Sequence, residues 1–205
     1  MTALLATAPL GVGSTSAVGS PLPAPEQLSA NLVAVVSHVP LSVGRVTRAE
    51  FQRALAQQVA MAGGRSAPKP GGRRHQKLRE AAIGELLDSV WIKGQAAMMG
   101  IGVSRHQVAS ELASIKRENF KSEAEYRRFL KQSRFTQRDV FERVELQLLS
   151  VRIQERVARG TNGNRDAQQK LAKFVAAYLD RWRARTVCAE GFAVDRCSNG
   201  PPPAS

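Results

Sequence analysis

The chain has 205 residues, 43% of them hydrophobic but only 5% aromatic, so its core must rest on Leu, Val, Ile and Ala, a composition suited to helix packing. Thirty basic residues stand against 17 acidic ones for a formal charge of +13, and the segment 45–187 alone holds 29 basic and 14 acidic side chains. Such a field favours anionic partners, whether nucleic acid, an anionic membrane surface or acidic stretches of other proteins, while Lys and Arg interleaved with Glu at helical spacing also read as a solvated surface.

Residues 3–12 (ALLATAPLGV) are apolar and are followed by small residues with a cleavage-like position near Gly19, which is half of a secretory signal; a basic n-region is missing. We read 1–30 as a leader or linker rich in Ala, Gly, Ser and Pro. No other apolar run approaches 18 residues, so no membrane-spanning helix is expected after it. The β-branched run Asn31 to His38 predicts one short strand, confined by Pro40 to an edge.

From Thr47 onward the pattern is helical. Four capping boxes, Thr47/Glu50, Ser104/Gln107, Ser122/Glu125 and Thr136/Asp139, each precede an apolar periodicity. The expected helices are 48–62 (Phe51, Leu55, Val59), 75–99 (Ile83, Leu86, Leu87, Val90, Trp91, Gly94), 105–118 (Val108, Leu112, Ile115) and 123–132 (Tyr126, Phe129, Leu130). The next, 137–158, has two apolar rows and is the expected centre of the fold. After the polar turn 159–164, helix 165–186 repeats Leu171, Phe174, Val175, Tyr178 and Trp182, a stripe that needs a groove to lie in. Cys188 and Cys197 follow, with a PPP tail beyond. Spacing alone leaves two readings of them, a short disulfide loop or two reduced thiols.

The stretches VTRAEF (46–51), LLDSVWIKGQAAMMGIGVSRHQVASEL (86–112) and FKSEAEYRRFLKQSRFTQRDVFERVELQLLSVRIQERV (120–157) resemble the N-terminal chaperone domain of SurA/PrsA-type extracytoplasmic folding factors. FVAAYLDRWRARTVCAEGFAVDRC (174–197) resembles the close of a subgroup in which a last helix returns to that domain and a C…C tail follows. The resemblance implies a secreted or cell-envelope protein, a disulfide between Cys188 and Cys197, and capture of unfolded or extended polypeptide. It implies a mainly α fold, about six helices in a cradle with a returning C-terminal helix, and possibly one short edge strand. Its divisions would be a chaperone domain over 31–158, the turn 159–164 where fuller members carry a parvulin isomerase, the returning helix 165–187 and the tail 188–205. Two departures stand out: SHVPLSVGRV replaces the hairpin and Asn-Gly turn usual before the first helix, and Arg134-Phe135 replaces the Gly expected before Thr136.

No catalytic constellation is legible in the sequence. His38, His75 and His106 are scattered, and no G-x-S-x-G turn or G-x-x-x-x-G-K-[ST] loop occurs, so no catalytic residue, metal or cofactor is expected. The start SRFTQRDVFERV is superficially like a helix-turn-helix, although a long uninterrupted helix follows; together with a pI near 10.8 it motivates the alternative reading, a basic nucleic-acid-binding protein. Met61, Met98, Met99 and Ile101 at helix ends form the expected peptide-binding patch, because flexible Met side chains accept many sequences.

Overall fold

A computed structural model describes residues 22–202 apart from 65 and 67; the signal-like stretch 3–20 lies outside the described residues. In chain order the elements are β1 (Leu32–Val36), a one-turn α1 (Leu41–Gly44), β2 (Arg45–Thr47), α2 (Arg48–Met61), α3 (Arg73–Met98), α4 (Arg105–Asn119), α5 (Glu123–Ser133), α6 (Gln137–Ala158), α7 (Asn164–Ala184) and β3 (Thr186–Cys188). The chain is mainly helical, with a small antiparallel sheet in the order β2-β1-β3.

The helices begin where side chains can satisfy their orphan amides. Thr47 Oγ1 accepts from the Glu50 amide at 3.2 Å while the Glu50 carboxylate accepts from the Thr47 amide at 2.8 Å, and Ser104/Gln107 and Thr136/Asp139 form the same reciprocal pair. At α5 the box is half made: Ser122 caps Glu125, but the Glu125 carboxylate takes the amide of Lys121 at 2.7 Å, one residue earlier than expected. Helix α5 ends on Arg134 at φ 60, ψ 24, so an arginine holds the left-handed position for which the family pattern uses Gly.

The expected edge strand is instead the central one. Ala34 pairs with Val46 on one side and with Cys188 on the other. Pro40 lies beyond Val36, the last paired residue, so its missing N–H removes no ladder bond. His38, at φ 62, and α1 make the reversal that an Asn-Gly turn makes elsewhere. Both flanking strands are only three residues long, and one comes from the far end of the chain.

Three apolar clusters sit along α3 and α6. The largest joins the sheet, α2, α3 and the C-terminus through Val33, Val46, Phe51, Ile83, Leu87, Trp91, Trp182, Val194 and both cysteines. The second joins α3, α6 and α7 through Ala96, Leu149, Ile153, Leu171 and Phe174; the third places Val108 and Leu112 of α4 on Val144. Helix α6 reaches α7 through the turn 159–163 with no domain between them.

Candidate functional site: a cleft along helix α3

The outward side of α3 borders two adjoining cavities of about 1020 and 290 Å³ that share Glu85, Ser89, Arg143 and Leu146. The larger lies between α3, the start of α6 and the C-terminal loop; Ile92, Leu146, Val194, Pro201 and Pro202 give it apolar lining, and Gln76, Ser89 and Gln147 supply uncharged polar groups. The smaller continues beneath α2 and β2. Among the described residues the two are lined by seven acidic and seven basic side chains, so the chain's excess of 13 positive charges lies elsewhere. Half of the cleft charges are engaged in ion pairs: Arg143 pairs with Glu85, Arg138 with Glu142, and Arg196 with Asp88 and Asp195.

One wall is held by a stapled loop. Cys188 and Cys197 are disulfide-bonded, their Cα atoms 5.8 Å apart, and both are fully buried. Between them Phe192 inserts edge-on against Phe51, at 5.2 Å between ring centres, with the guanidinium groups of Arg48 and Arg79 each 4.8 Å from its ring. Arg196 then donates Nε and Nη2 to the two carboxylate oxygens of Asp88 at 2.7 and 3.0 Å, a fork that fixes the loop on α3. That hydrogen bond holds the Arg196 guanidinium above its ordinary value against the opposing effect of burial. The approach is close at Gly84, where a Cβ would stand 3.2 Å from the Arg196 guanidinium carbon, so a side chain there would make the guanidinium give by a few tenths of an ångström. Beyond the loop, Asn199 bonds both backbone groups of Cys188, and Arg183 donates to the carbonyls of Cys197, Gly200 and Pro201, so the proline tail is led to the cleft wall.

Helix α7 is tied to α3 by a buried polar chain. Trp91 Nε1 donates to Thr186 Oγ1 at 2.9 Å, Thr186 Oγ1 donates to the Trp182 carbonyl at 2.7 Å, and Trp182 Nε1 donates to Gln95 Oε1 at 3.2 Å. Each partner is buried, so these bonds replace water that the site excludes. Burial, reinforced by the Asp88 carboxylate, pushes the Tyr178 hydroxyl far above its ordinary 10.0.

Of the stripe expected on the returning helix, Trp182 is fully buried, and Leu171, Phe174 and Tyr178 are partly buried against the clusters. Val175, at the solvent side of that stripe, is 48% exposed. The residues of the expected peptide-binding patch do not form one surface, because Met61 stands apart from Met98, Met99 and Ile101. Arg74 at the start of α3 donates to the carbonyl of Ala62, which places Met61 at that end. Met98 is at the other end of a 26-residue helix, about 37 Å away at 1.5 Å per residue. Met99 and Ile101 turn inward onto the second cluster, so only Met61 and Met98 stay well exposed, at 61% and 51%. Of the cleft lining, Leu86 and Val90 belong to the predicted apolar row and Glu50 and Asp139 to capping boxes, whereas Gly84 and Asp88, which border that row, carry no motif of their own. Among the described residues no three His, Cys, Asp or Glu side chains converge as a metal site would require.

The family model described as the SurA-like N-terminal domain matches residues 12–154. No curated protein and no solved structure matches the chain.

Proposed function

We propose, for a chain that belongs to the SurA-like N-terminal domain family, that the cleft along α3 captures unfolded or extended polypeptide outside the cytoplasm, without ATP and without covalent chemistry. The observation that carries this reading is the large, charge-balanced cleft with apolar lining and uncharged polar groups on α3 and α6. Apolar client side chains gain by leaving water there, and Gln76, Ser89 and Gln147 offer hydrogen bonds to an extended backbone. Because its acidic and basic side chains are equal in number, the cleft demands no particular charge of its occupant. The chaperone unit over 31–158 is completed by the returning helix 165–187 and by the tail, whose disulfide suits an oxidising compartment. The chain acts as a binding module and not as an isomerase.

The test is the aggregation of a chemically unfolded protein diluted into buffer without nucleotide. Stoichiometric amounts of this chain are expected to suppress it while leaving the isomerisation rate of a proline-containing peptide unchanged. Unchanged aggregation, or accelerated isomerisation, would refute the reading.

A further inference from the structure

The positive charge that the cleft lacks gathers partly beside exposed apolar side chains. From Arg152 to Arg185 nine basic residues face only Glu155, Asp166 and Asp180. On α7 the inner stripe of Leu171, Phe174, Tyr178 and Trp182 is turned to the core, and the adjoining row of Ala172, Val175, Ala176 and Leu179 is exposed, Val175 at 48% and Leu179 at 47%. Beyond that row lie Arg165 and Lys173, both exposed and in no ion pair with any described residue. No residue of α7 lines the cleft.

We infer that the outer row of α7 docks on an anionic lipid surface, its apolar side chains entering the headgroup boundary and its cations meeting lipid phosphates, while the cleft stays open. The charge complementarity selects among occupants. A second copy of this chain would bring the same basic helix face to face with itself, and like charges repel. Nucleic acid supplies phosphates but no apolar phase for Val175 and Leu179. A bilayer interface supplies both, and an amphipathic basic helix lying in its plane uses both. No described helix is long and apolar enough to cross a membrane, so the contact is peripheral.

Sedimentation of the full chain with vesicles tests this directly. Vesicles of phosphatidylcholine mixed with phosphatidylglycerol are expected to pellet the chain, and vesicles of phosphatidylcholine alone are not. Salt at about three Debye-shortening increments, from about 0.01 to about 1 M, should release it progressively. The exposed double substitution Val175→Ser/Leu179→Ser should lower partitioning about tenfold with unchanged circular dichroism. Arg165→Glu/Lys173→Glu should abolish the preference for the anionic vesicles. No binding to either vesicle, equal binding to both, or binding indifferent to both double substitutions would overturn the inference. So would retention on mixed-sequence DNA in the absence of vesicle binding, which would assign the basic face to nucleic acid.

Discussion

A methyl group built on Gly94 of α3 would stand 2.3 Å from Cη2 and 3.0 Å from Cζ2 of Trp182 on α7, and 2.7 Å from a methyl of Val39. Helix α3 thus carries a notch that the returning tryptophan fills. Trp182 is fully buried and bonded at both its indole nitrogen and its carbonyl, so it has no room to retreat. Gly94→Ala should therefore destabilise the fold by about 2–3 kcal/mol through overpacking, although alanine is the better helix former. Gly102→Ala, where a Cβ meets nothing within 4 Å, is the control and should change stability little. Urea midpoints followed by tryptophan fluorescence read both.

The Cys188–Cys197 bridge closes a short loop and joins β3 to the cleft wall. Replacing both cysteines by Ser should cost about 2.5–3 kcal/mol if the effect is chiefly chain entropy in the unfolded state. Thermal melts of the wild type with and without a dithiol should reproduce the same difference. Equal melting temperatures would show that the loop holds without its staple.

Stability should fall at alkaline pH. Burial raises the hydroxyl pKa of Tyr178 well above 10.0 and that of Tyr126 upward as well. A phenol that holds its proton more tightly folded than unfolded contributes stability that is complete below pH 10 and declines as pH rises toward the folded value. The expected slope is about 1.4 kcal/mol per pH unit for each fully shifted tyrosine. Tyr178→Phe should flatten the decline above pH 10 and leave the neutral region unchanged in slope, as denaturant midpoints across pH would report.

Tyr126 packs between Phe120 and Phe129, with the Lys116 ammonium 4.3 Å from its ring centre. Its hydroxyl is buried and meets no hydrogen-bond partner among the described residues. Tyr126→Phe keeps the ring and removes that group, and should raise stability by about 1 kcal/mol in the same urea assay.

Much of this architecture is legible in the chain because it is local. Capping boxes and 3/4 apolar spacing place all six main helices within two residues of their observed ends, as with Ser104 before α4 and Thr136 before α6. What escapes is pairing between distant parts. Thr186 to Cys188 carries no strand pattern of its own length, yet it completes the sheet because Trp182 lands in the Gly94 notch and delivers it to Val35. His38 reads as the end of the predicted strand, and only the reversal into β2 requires its positive φ. The methionines mislead for the same reason: sequence shows that they lie at helix ends, and only packing shows that Met61 and Met98 lie at opposite ends of α3. The cleft, too, is assembled from four separate stretches, and Arg196 finds Asp88 across 108 residues.

The central claim is that polypeptide binds in the cleft along α3, and filling the cleft tests it most directly. Ser89 borders both cavities and is partly exposed, so Ser89→Trp adds an indole to the space a client would occupy. Fluorescence anisotropy of a labelled unfolded polypeptide should then show affinity lowered about tenfold or more, with an unchanged melting temperature. Undiminished affinity in a folded Ser89→Trp chain would contradict the account.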